Sequence, residues 1–185
     1  MENNTEINKE LALLEKQVEQ QLAFCIQDFQ LLSELQLNHK DAAESWSVAQ
    51  CLWHVNSYGN FYLPRIEQAV QTPKTANKAY QSGWLGSYFA KIMHPETTQT
   101  KYKAFKNHRP PNVVNGREEL AEFIHQQEML LLCIRKAHKA DLNQRLPISI
   151  APFIRLKLGD VFQFMVAHIE RHMQQAQRIN YKQLV

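Results

Sequence analysis

His168 and His172 stand four residues apart in the last long helical run of the chain, Ala167-His168-Ile169-Glu170-Arg171-His172-Met173. Four residues are one helical turn plus about 40°, so both imidazoles leave the same face. That face is shared with Val161, Met165, Ala176 and Ile179. An otherwise apolar stripe turns toward the interior. Two imidazoles aimed at a core need partners. A metal ion is one partner that takes both, and it needs at least one more ligand from elsewhere in the chain. A metal-free core pair or a half-exposed pair is the alternative at this point, because the chain has eight histidines and this spacing arises readily by chance.

The remainder of the chain supplies the scaffold. Ile7, Leu11, Leu14, Val18, Leu22, Cys25, Phe29 and Leu32 recur every three or four residues, which predicts a first helix from about Thr5 to about Leu37. A second helix starts at Ser47. Ser47 and Gln50 match a capping box, and Trp46 before the cap can staple onto the first turn. This helix runs to about Ala69 with Cys51, His54, Tyr58 and Phe61 on one stripe, and Pro64 is expected to kink or break it. The third helix spans about Gly116 to Ala140 on Leu120, Phe123, Ile124, Leu131 and Ile134, which leaves His125 and His138 off the stripe and exposed. Leu158-Gly159-Asp160 opens the fourth helix, with Asp160 as the expected N-cap, and the helix ends near Tyr181. Ile148, Ala151, Phe153 and Leu156, between Pro147 and the fourth helix, are expected to cover an end of the bundle.

Residues 71–115 break this rhythm. They form a long crossover, with a short helix expected over Ser87 to Met93 and aromatic residues Trp84, Tyr88 and Phe89. Lys101, Lys103, Lys106, His108 and Arg109 then lead into Pro110-Pro111. A solvated connection is the plain expectation for such a segment; a lid that meets an anionic ligand is the functional one. His94 and His108 lie in this segment with no ligand spacing.

These elements predict a single all-α domain over 1–185, an up-down-down-up four-helix bundle with its long crossover between helices 2 and 3. Only five glycines and few alternating runs oppose a sheet. The formal net charge of +3 is spread along the chain and is no nucleic-acid footprint. No apolar run is long enough to span a membrane, and the polar start Met1-Glu2-Asn3-Asn4 lacks secretory features. Cys25, Cys51 and Cys133 have no CxxC spacing, which fits free thiols in a cytoplasmic protein.

Bundles build metal sites from inward side chains on facing helices. His54 on the second helix can therefore meet His168 and His172 on the fourth. Trp46-Ser47 followed by His54, paired with His168-x-x-x-His172 and the trailing Gln175, resembles the DinB/YfiT-like superfamily, as does the segment from Lys101 to Pro111. The resemblance covers about residues 10–180. It implies a helical bundle holding a divalent metal on three histidines, which map onto His54, His168 and His172. It also implies either a transferase or isomerase acting with a low-molecular-weight thiol or a metal-dependent hydrolase. The spacing here is His-x-Glu-x-His, which puts Glu170 about 200° round the helix from His168 and removes a zincin-type general base.

Three imidazoles leave coordination positions open, the layout of a catalytic site, and zinc, nickel, iron or manganese all suit the set. The metal could activate water or a small thiol, and the resemblance to the family favours activation of a small thiol for attack on an electrophile. Tyr58 is the hydroxyl nominated as catalytic, and Arg109 the cation that recognises the thiol cofactor. Cys51, one turn before His54, is expected to be a core cysteine rather than a fourth ligand. Rival classes are a bundle that keeps metal for folding or sensing, and a basic binding module built on residues 101–109. The expected partner is a small-molecule substrate, with no nucleic acid and no membrane, and a homodimer is left open.

Overall fold

The computed structural model describes residues 2–73, 80–93 and 103–183. Lys101 and His94, singled out above, lie outside these residues. Helix α1 spans Glu2–Phe29, α2 Glu34–Asn38, α3 Val48–Ala69, α4 Trp84–Met93, α5 Gly116–Ala137 and α6 Leu158–Lys182, with a 3-10 turn at Lys106–His108. Strands β1 (Arg145–Ile148) and β2 (Ala151–Lys157) form an antiparallel hairpin before α6.

Four long helices build the bundle. α1 packs on α5 and α6, and α3 packs on the same two, so α1 and α3 sit on opposite corners. Hydrogen bonds fix the directions. Arg117 near the start of α5 reaches the carbonyl of Gln30 beyond the end of α1, and Arg135 near the end of α5 reaches Glu19, so these two helices are antiparallel. Asn56 bonds Glu119 and Gln126 bonds Asn60, so α3 and α5 run parallel. Gln163 meets Glu10 and Asn180 meets Asp28, so α1 and α6 run parallel. The order is up-down-down-up. Both middle helices point the same way because the 71–115 crossover returns the chain along the bundle before α5 begins.

The expected stripes make most of the core, although Ile124 and Leu131 of the third are only partly covered. Ile7, Leu11, Leu14, Val18, Cys25 and Phe29 of α1 are buried, as are Leu120, Phe123, Leu130, Cys133 and Ile134 of α5. Gln21 is buried between Val18 and Cys25, and Leu22 is only partly covered. Gly59 lets α5 approach α3 closely, since a Cβ there would lie 1.7 Å from Gln126 Oε1. Pro64 sits exposed within a helix that continues past it; its ring faces solvent, where the unbonded carbonyl one turn back can meet water.

Three expectations are corrected. The first helix is not continuous to Leu37. It ends at Phe29, and Ser33 caps α2 through a capping box with Gln36, the same signature as Ser47 with Gln50. The restart has a use: Glu34 accepts from the backbone N–H groups of Gly116 and Arg117 and so caps α5 in trans, where the helix dipole favours a carboxylate. The second correction is the hairpin. Its strands carry Pro147 and Pro152, tolerated because a two-stranded sheet is all edge. Leu146, Ile148 and Leu156 face the core, while Phe153, expected to cover the bundle, is 87% exposed. The third concerns Asp160. The α6 cap is Lys157, and Asp160 lies within the first turn, buried, accepting from Tyr80 Oη, Ser82 Oγ and the Gly83 N–H. No described helix is long and apolar enough to cross a membrane.

Candidate metal centre

The Ser47 capping box fixes where α3 starts, and His54 follows two turns later on its buried side. His168 and His172 face it from the antiparallel α6. His54 Nε2 and His168 Nε2 lie 3.2 Å apart, and the ligand atoms of His54, His168 and His172 all fall within 4.8 Å of one another. His54 and His168 are buried, and His172 is half-buried.

Hydrogen bonds set the tautomers of two rings. His54 Nδ1 lies 2.6 Å from the carbonyl oxygen of His108. A carbonyl only accepts, so Nδ1 carries the proton and Nε2 presents a lone pair. His172 Nδ1 lies 3.1 Å from Gln175 Oε1, which leaves its Nε2 bare by the same reasoning. His168 Nδ1 is buried without a hydrogen-bond partner. All three imidazoles are held neutral. Burial pushes His54 down to about 4, and burial together with the neighbouring imidazoles holds His168 and His172 well below the usual histidine range. Neutral imidazoles with fixed tautomers are what metal ligation requires. Two nitrogens on one tetrahedral zinc at about 2.0–2.1 Å would be about 3.3 Å apart. The observed 3.2 Å between His54 and His168 fits a divalent ion with little movement.

Rings wall the centre. Trp46 lies 4.9 Å from His54 and stacks on His172 at 5.8 Å between centroids. Trp46, the residue before the α3 cap, is therefore a wall of the site. Phe164 stacks on His168 at 5.5 Å, one turn before it on α6. Tyr58 stands edge-on to His168 at 4.5 Å and to His54 at 5.2 Å. Burial raises the Tyr58 hydroxyl far above its ordinary range, so it keeps its proton. Glu170 faces α1 instead, bonding Gln21 and Gln174, as the helical arithmetic requires.

His108, expected in the crossover with no ligand spacing, is indeed outside the three-histidine group, but it packs against it. His108 is 5% exposed, lies flat on Tyr58 with centroids 3.7 Å apart, and holds His54 through its carbonyl. Nothing local in the sequence marks this, because a single histidine before Pro110-Pro111 has no periodic pattern that reports contacts. Arg109, the next residue, is exposed at the end of this turn, and none of the described contacts joins it to the histidines. Cys51 is a buried core thiol, pushed up by burial, outside the group of three histidines. His125 is exposed, whereas His138 is partly covered and bonds Glu15. Trp84 and Tyr88 are largely exposed, and Phe89 packs toward Phe164.

Fold and site together define a four-helix bundle with a buried three-histidine group able to hold a divalent metal. The chain belongs to the DinB superfamily, whose family profile matches residues 17–176. Its structure is similar to that of YfiT from Bacillus subtilis, described as a probable metal-dependent hydrolase with an unusual four-helix bundle topology. The two share 13% identity with a TM-score of 0.56, over 96% of this chain and 87% of that one, a likeness of fold. No curated protein matches the chain significantly.

Proposed function

We propose that the chain is an enzyme that holds a divalent metal on His54, His168 and His172 and activates a small thiol for transfer to an electrophile. The observation that carries this reading is the convergence of three neutral imidazoles in a chamber walled by rings. A divalent ion on such a set keeps positions open for a ligand and supplies Lewis acidity, which makes a coordinated thiol or water far more acidic.

The surrounding residues do the remaining work. Glu170 is turned toward α1 and cannot take a proton at the centre. A route that needs no protein base fits this arrangement, and a divalent ion on the three histidines would supply one by making a bound thiol acidic enough to be held as thiolate, as it would a bound water. Tyr58 is a donor rather than a base, suited to give a hydrogen bond to charge developing on the electrophile. Trp46 and Phe164 exclude water and leave an apolar boundary for the acceptor. Arg109 serves the anionic part of the thiol from the exposed crossover turn.

Water activation is the second reading, favoured by the description of YfiT as a probable metal-dependent hydrolase. Metal analysis of purified protein followed by titration calorimetry with small thiols separates the two. Metal-loaded protein that binds thiols and consumes an electrophile only in their presence supports transfer. Metal-loaded protein that binds no thiol yet hydrolyses a test ester or amide replaces it with hydrolysis.

A further inference from the structure

Ser57, His54 and His108 form a circuit that the metal ligands alone do not require. Ser57 Oγ lies 2.6 Å from the carbonyl oxygen of His54, one turn back on α3. The carbonyl can only accept, so the single hydroxyl proton goes there. Toward His108 Nδ1, at 2.8 Å, Ser57 therefore offers a lone pair, and Nδ1 carries the proton. The His108 carbonyl in turn accepts from His54 Nδ1 at 2.6 Å. Each of the three residues donates once and accepts once, and the loop closes on itself.

We infer that Ser57 and His108 are positioning residues for the metal ligand His54, and that the same circuit docks the crossover on α3. This rests on the metal reading above. His54 Nδ1 could meet any acceptor, but a backbone carbonyl in a mobile connection would not hold the ring. Here the turn that carries the carbonyl is fixed by its own side chain: the His108 ring is bonded to Ser57 and stacked on Tyr58. A second tether follows three residues later, where Gln50 of the α3 capping box donates to the Pro111 carbonyl at 2.7 Å. Partners of this kind set the tautomer and aim of a ligating imidazole, and losing one typically weakens metal binding by roughly 10–100-fold. The coupling is reciprocal: if docking the turn improves metal binding, metal binding stabilises the docked turn by the same factor.

The test compares wild type, Ser57→Ala, His108→Ala, the double variant and Ser57→Thr. The readouts are zinc affinity by competition, the absorption spectrum of the cobalt-loaded protein, and hydrogen exchange at the amides of His108 and Arg109. Both single variants should lose roughly 10–100-fold in zinc affinity and shift the cobalt spectrum. The double variant should lose no more than either single variant, because each opens the same loop. Ser57→Thr, which keeps the hydroxyl, should recover wild-type behaviour. Zinc should slow exchange at both amides in wild type and much less in Ser57→Ala. Ser57→Ala with wild-type affinity and spectrum, or two losses that simply add, overturns the circuit alone. Wild-type protein that takes up none of zinc, cobalt, nickel, iron or manganese overturns the metal reading itself.

Discussion

His54 Nε2 and His168 Nε2 face each other at 3.2 Å across 114 residues of sequence. The two rings sit at the crossing of antiparallel helices α3 and α6, so neither can withdraw without unpacking its helix. Burial strips both of solvent, and His172 adds a third nitrogen to the same space.

Replacing His168 by Ala should abolish stoichiometric metal binding and leave the bundle folded. Two donors remain of the three that the group offers. The core loses one buried imidazole whose Nδ1 has no protein partner, so little hydrogen bonding is lost with it. Metal content by elemental analysis and helical circular dichroism check this together. A folded His168→Ala protein that retains one equivalent of metal would refute the ligand assignment.

Tyr58→Phe isolates one hydroxyl. The substitution preserves the ring that stacks on His108 and flanks His168, so metal content and melting temperature should stay close to wild type. Turnover should fall by roughly a hundredfold if the hydroxyl donates in the rate-limiting step. An unchanged kcat would make Tyr58 a wall rather than a participant.

Acid should destabilise the metal-free protein before its carboxylates matter. His54 titrates at about 4 in the folded chain against 6.5 in an unfolded one. Below 6.5 the unfolded state binds the extra proton, so stability falls as pH drops from about 6.5 toward 4, then levels off for this group. His168 and His172 are lowered too and act in the same direction. His54 alone amounts to up to about 3 kcal/mol. Urea midpoints of metal-free protein at pH 7.5 and pH 5, as round test values, read the effect directly. Equal midpoints for wild type would show that the imidazoles are not held neutral by the fold.

Much of this site was legible from spacing. His168 and His172 on an apolar stripe, and His54 seven residues behind a capping box, are local patterns that helix geometry converts into directions. The bundle order followed from four stripes and one long connection. His108 was not legible, because its burial comes from a crossover folding back onto α3, and no periodic pattern reports that. The break after Phe29 was written in Ser33 and Gln36, but the apolar residues Phe29 and Leu32 continue the helical rhythm across it. The hairpin escaped because Pro147 and Pro152 argue against strands everywhere except at edges.

Asp160 offers a test of how the crossover is anchored. It is 1% exposed and accepts from Tyr80 Oη at 2.8 Å, Ser82 Oγ at 2.6 Å and the Gly83 N–H at 3.2 Å. Its place in the first turn of α6 also lets the helix dipole offset the buried charge. The three donors fall within residues 80–83 on the approach to α4, so one carboxylate fixes the start of that helix. Gly86, in the first turn of α4, leaves room for it, since a Cβ there would lie 2.2 Å from Asp160 Cγ. Asp160→Ala strands the buried Tyr80 hydroxyl, while the exposed Ser82 and half-exposed Gly83 can turn to water, and should cost about 1–3 kcal/mol, the order expected for one unpaired buried donor. Gly86→Ala should weaken the same anchor by contact rather than by lost bonding. Chemical denaturation measures the first effect, and hydrogen exchange over residues 80–93 should rise in both variants while exchange in α5 stays low. Wild-type protection of residues 80–93 in Asp160→Ala would mean that packing of α4 on α6 holds the segment without the carboxylate.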